Sequence, residues 1–438
     1  MSKKSETNTS TQPRLLKKKT IEAISEYVLT SNGMRVLFLP RKGTGVITSN
    51  IVYKIGSRHE ARGETGIAHM LEHMLFKPTK QDLARKHDSA STEFEKEFGV
   101  ILNANTWRDR TSYFFSYPKV HFPQALKIEA ERMRGVVITD ESLAPEKANV
   151  LSEYDMYAGD ELFLLSTEMY DVAIRNHPYG HETIGYREDI EDYTASKIRA
   201  YYEDYYTPNN ATLIIVGDCT EAVMKREVLA HFAMLPMTHI PKEHLFREPE
   251  QNGKRTVTVS RPSTKNVLGI GVKHDAFPNI AWFETLAIFD MLAGGEDSVL
   301  TKRFVDTGLV SHIDTSLEQS KDSNLAVIFC TLTQKTNHEK LEKNLLETVR
   351  ALTPKDIAPY LKKTTAKLLM NEARTRSSSL SLAQELVEYV SAEAWEHFFA
   401  SEAILKNITP KAVHTRLQTL FTEEQMTIGY FIGQSDQK

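Results

Sequence analysis

Apolar and polar residues along this chain follow two periods, and the switches between them mark its elements. EYVLTSNGMRVLFLPR (26–41) reads as two short strands joined at Ser-Asn-Gly, and VITSNIVYKIG (46–56) as a third strand. A helical run follows from about Glu64 to Phe76, and EFEKEFG (93–99) continues helical. VILNANTW (100–107) and TSYFFSYP (111–118) predict an antiparallel pair. FPQALKIEAERMRGVV, PEKANVLSEYDMY and ASKIRAYYEDYY predict amphipathic helices, and ATLIIVG a strand.

Periodicity is lost over 235–254, which carries three prolines and reads as a linker. The order then restarts. TVTVSRP and NVLGIGVKH predict strands, AWFETLAIFDMLAGG a helix, HIDTSLEQ and NLAVIFCTLT strands, followed by helices and a last strand, MTIGYFIG. One pattern met twice predicts an α+β protein of two tandem similar domains, each a mostly antiparallel sheet with helices packed on one face. The expected division is a disordered tail at 1–20, a first domain at 21–234, the linker at 235–254 and a second domain at 255–438.

Composition narrows the function classes. At 438 residues the chain is too long for one ordinary core. A net charge of -4 gives no support for a nucleic-acid partner. Two cysteines, Cys219 and Cys330, make neither a disulfide framework nor a cysteine metal site. No run of about eighteen apolar residues predicts a membrane span. The polar, basic start lacks the apolar core of a secretory signal, so a cytoplasmic location is expected.

One stretch breaks the apolar logic. GIAHMLEHMLFKPT sets His69, Glu72 and His73 among Ile67, Met70, Leu71, Met74 and Leu75. On a helix, positions i and i+4 share a face, so both imidazoles converge on one point, with Glu72 on the same side. A lone His-x-x-x-His pair is often a plain surface feature. Here burying the polar groups without partners would be costly, and a divalent metal removes that conflict. H-x-x-E-H is the inverted order of the zinc-hydrolase signature, in which the glutamate acts on water and is not a ligand. A catalytic zinc takes three protein ligands. The helix PEKANVLSEYDMY offers Glu146 and Glu153, two turns apart on one face, and spacing alone does not choose between them.

With these segments in this order the chain resembles the pitrilysin/insulinase family of zinc metallopeptidases. It is most similar to half-length, two-domain members such as the bacterial zinc proteases and the catalytic subunit of the mitochondrial processing peptidase. The resemblance runs from about residue 27 and rests on GSRHEARGETGIAHMLEHMLFKPT, LNANTWRDRTSYFF, EKANVLSEYDM, HPYGHETIGYREDI and YYTPNNATLIIVGD. It implies one Zn2+ per chain, held by His69, His73 and Glu153, with Glu72 as the general base and Glu146 supporting catalysis from behind. It also implies an edge strand through Asn103 and Ala104 that takes a peptide or unfolded polypeptide as an added strand. The implied function is zinc-dependent endopeptidase; a non-catalytic assembly or chaperone-like subunit is the alternative.

The second half departs from the family. Many members carry an Arg and a Tyr, seven residues apart, that help hold substrate. Here those positions are Phe304 and Ser311, with Arg303 and His312 one residue away from them. The resemblance therefore implies a catalytically degenerate second domain and a dimer. A related subunit supplying the Arg/Tyr pair is the expected partner, and a self-sufficient homodimer the alternative.

Overall fold

The computed structural model describes residues 12–243 and 247–434. Seven strands build the first sheet: β1 (Leu15–Ile21), β2 (Ile24–Leu29), β3 (Arg35–Pro40), β4 (Val46–Tyr53), β5 (Ile101–Thr106), β6 (Thr111–Pro118) and β7 (Ala211–Gly217). Five build the second: β8 (Arg255–Pro262), β9 (Asn266–His274), β10 (Val310–Ser316), β11 (Asn324–Leu332) and β12 (Met426–Gln434). The strand orders are β1-β2-β3-β7-β4-β6-β5 and β10-β11-β9-β12-β8. Without β1 and β2 the two sheets have the same order. Each contains a single parallel pair at the matching place, β3 with β7 and β8 with β12. The repeated pattern in the sequence is therefore a repeated α+β fold.

Each sheet packs helices of its own half on one face. In the first half, Ile51, Tyr53, Tyr113 and Leu213 meet Met70, Leu71, Leu126 and Val150. In the second, Leu268, Ile270 and Ile328 meet Ile288, Leu292 and Leu345. The other face of each sheet is covered by a helix from the opposite half. Leu382, Leu386 and Val390 of helix Ser379–Ser391 pack on Leu37, Val52, Ile214 and Val216 of the first sheet. Leu165 and Met169 of helix Glu161–Ala173 pack on Val267, Val327, Phe329 and Phe431 of the second. Strands covered on both faces need apolar residues at nearly every position, which is why ATLIIVG does not alternate.

The expected tail at 1–20 needs correction. Residues 1–11 lie outside the described residues, but Leu15–Ile21 form β1, antiparallel to β2. Lys17, Lys18 and Lys19 all lie in this strand. On an edge strand the same lysines stand in water while the backbone is paired on one side, and charged edges of this kind discourage further pairing. Between helix Glu221–Phe232 and β8 no regular element occurs among the described residues. None of the described helices is long and apolar enough to cross a membrane.

Candidate metal centre

The helix Ile67–Met74 buries Ile67, Ala68, Met70, Leu71 and Met74 in the first core and leaves His69, Glu72 and His73 on its other side. Its start is fixed by two devices. Gly66 adopts φ 85°, and a Cβ there would lie 2.3 Å from the Ile184 carbonyl oxygen, so only glycine fits. The buried Glu60 carboxylate accepts from Gly66 N at 2.8 Å and Ala68 N at 3.0 Å, capping the free N–H groups of the first turn. His181 Nε2 lies 3.0 Å from the same carboxylate. Burial pushes the Glu60 carboxyl above its ordinary value, and His181 and the backbone bonds oppose this.

The two imidazoles stand 4.9 Å apart, nearly perpendicular at 82°. Helix Asp140–Ala158 runs alongside and brings Glu153 against both. Its Oε2 is 3.6 Å from His69 Nε2, and its Oε1 is 3.8 Å from His73 Nε2. One ligand atom from each of the three residues falls within 4.8 Å of the others. Glu146, two turns earlier, is not part of this cluster and sits behind it. With its proton on Nδ1, His73 donates to Glu146 Oε2 at 3.4 Å, leaving Nε2 free to face Glu153. Glu146 is itself held by Lys77 Nζ and by Asn149 Nδ2, the latter at 3.1 Å. Burial raises the Glu146 carboxyl, but these bonds and the nearby charges bring it below its ordinary value.

Two imidazoles and a carboxylate are the chemistry of a catalytic zinc site with one position left for water or substrate. The environment fits. Burial, and then the neighbouring His73, push His69 down to about 3, so it is neutral, as a ligand must be. Glu72 stands on the same helix face without joining the ligand set. Burial raises its carboxyl, and the Thr106 hydroxyl, donating to Glu72 Oε2 at 2.6 Å, opposes that rise.

Thr106 ends β5, whose outer side has no neighbouring strand among the described residues. Asn103 and Ala104 lie on that edge, and Ala104 N donates to Asn103 Oδ1 at 2.8 Å. In the second half, Phe304 is buried in the core and Ser311 Oγ donates to the Thr331 carbonyl at 3.2 Å. Arg303 is exposed, and exposed His312 pairs with Asp314 at 3.0 Å. Sequence reasoning passed over Glu60, Thr106 and Lys77. Lys77 alone left a signal, four residues after His73.

Two family descriptions cover this chain. Residues 36–186 match "Insulinase (Peptidase family M16)", and residues 192–359 match "Peptidase M16 inactive domain". A zinc protease of Helicobacter pylori, PqqE, is 30% identical over 340 residues, which is 76% of this chain and 75% of that protein. The chain belongs to the insulinase family, peptidase family M16. That makes it a metallopeptidase in the broad sense, among relatives that are named zinc proteases. The beta subunit of a mitochondrial-processing peptidase from Dictyostelium discoideum is 27% identical over 214 residues, 49% of this chain and 45% of that one. The crystal structure of a protease from Helicobacter pylori superposes with a TM-score of 0.86 at 25% identity, covering 96% of this chain and all of the other. The family boundary falls near residue 190, ahead of the helix that ends the first half.

Proposed function

We propose that this chain is a zinc-dependent endopeptidase that hydrolyses peptides or unfolded protein segments laid along β5 as an added strand. The observation that carries this reading is the cluster of His69, His73 and Glu153 ligand atoms with Glu72 on the same helix. These three residues would hold one zinc ion. Zinc bound there would act as a Lewis acid, acidifying water and polarising the scissile carbonyl. Glu72 takes the proton of the attacking water and delivers it to the leaving amine. Glu146 holds His73 in its working tautomer. Along the edge, the Ala104 N–H exchanges its bond to Asn103 Oδ1 for a substrate carbonyl, so recognition is by backbone and favours extended chains.

The second half forms a wall and supplies no Arg/Tyr pair at the family's positions. We assign that pair to a related partner subunit. The test is to incubate the purified chain with quenched unfolded peptides, with zinc or with a chelator, beside its Glu72→Gln variant. Zinc-dependent cleavage that the variant lacks supports the reading. Cleavage by Glu72→Gln at the wild-type rate overturns the role of Glu72. A zinc-loaded chain that cleaves only after a related subunit is added supports the division of labour.

A further inference from the structure

Beyond the ligands and the base, the structure connects the substrate edge to the catalytic carboxylate through one side chain. Among the described residues, Thr106 makes the only side-chain hydrogen bond to Glu72, at 2.6 Å. Thr106 pairs with Thr111 across the β5–β6 ladder, and its hydroxyl has two acceptors within reach. Thr111 Oγ1 lies at 3.4 Å and gives its own proton to the Ile55 carbonyl at 2.9 Å. A hydroxyl has one proton, and the short, charge-assisted bond to Glu72 takes it. Alternation along the strand explains the direction. The side chains of Ala104 and Thr106 turn towards the helix Ile67–Met74, whereas the backbone of the same strand forms the open edge.

We infer that Thr106 is a positioning residue for the proposed hydrolysis. It fixes which oxygen of Glu72 remains free, and it makes the orientation of the base depend on the strand that receives the substrate. This rests on the assignment of Glu72 as general base. The Glu72 Oε1 atom, which Thr106 does not engage, is the one left to take the proton from water. An added strand that stiffens β5 at Thr106 thereby steadies the carboxylate as the peptide arrives. A carboxylate without this bond would rotate between several settings, only some of them productive.

The test compares Thr106→Val, which keeps the β-branched shape but removes the donor, with Thr106→Ser, which keeps the donor. Thr106→Ala serves if the valine variant does not fold. In the active assembly, Thr106→Val is expected to lower kcat about 10- to 100-fold. KM and zinc content should stay near wild type, and Thr106→Ser should restore most of kcat. A second readout needs no turnover. The Glu72 carboxylate stretch, identified by its absence from the infrared spectrum of Glu72→Gln, is expected to shift in Thr106→Val and return in Thr106→Ser. An unchanged band, or unchanged kcat in Thr106→Val alongside an inactive Glu72→Gln, overturns the inference while leaving the base assignment standing. An active Glu72→Gln removes the base assignment, and the inference with it.

Discussion

His73 is gripped on both ring nitrogens, one facing Glu153 and the other Glu146. Glu146→Gln keeps the shape of that support but weakens it, and should lower zinc affinity about 10-fold, read by competition with a chromogenic chelator. Glu153→Ala removes a ligand and should lose zinc outright under the same conditions. Glu385 adds a pH dependence of its own to the fold. Burial raises Glu385 to about 7, and Glu372 and Glu388 add to the rise, while Gln319 opposes it. The folded chain therefore holds this proton where the unfolded chain, with a value near 4.5, does not. Its contribution to stability therefore falls as pH rises between those two values. Glu385→Gln should be neutral at pH 4 and stabilise the protein at pH 8, by at most on the order of 3 kcal/mol, measured by urea unfolding at both pH values. The pair His69 and His73 was legible because helix periodicity places them together. Glu153 needed the family resemblance, since Glu146 sits on the same face. Thr106 and Glu60 act on the site across a sheet and a loop, and no local period reports such contacts.

At the scale of elements, strand and helix types were legible because period 2 and period 3.6 differ clearly in β8 and in helix Phe122–Gly135. The first strand was missed because its lysines lie on an exposed edge, where there is no buried face to impose alternation. The crossed packing was also hidden, although its glycines stood in plain sight. A Cβ on Gly269 would meet Met169 Sδ at 2.4 Å, and one on Gly429 would meet it at 2.5 Å. These strands omit side chains so that helix Glu161–Ala173 can lie close against the sheet. Gly429→Val should destabilise the protein by about 1–3 kcal/mol, read from the urea midpoint. Met169→Ala should recover part of that loss by making room.

Across the whole molecule, three arginines of the first half end on carboxylates of the second. Arg58 meets Asp322 at 2.9 Å, Arg108 meets Glu318 at 3.0 Å, and Arg110 meets Glu388. All three guanidiniums are buried, with side-chain exposures of 5%, 3% and 4%. Arg58 and Arg108 also pair with Asp109 and Glu182 of their own half, but among the described residues Arg110 has no carboxylate partner except Glu388, so Glu388→Ala would strand a buried cation at a cost of about 3–5 kcal/mol. These bonds and the exchanged helices join the two halves, which predicts that they unfold as one body. Each half-chain lacks one wall of its own sandwich and finds it in the other, like hands clasped with fingers interlaced. A gene divided within codons 235–243 would accordingly encode two pieces that fail alone and succeed together. Expressed in the same cell they should assemble, co-elute through a sizing column and part only in denaturant. Pieces that fold and travel separately would show that the clasp is ornamental.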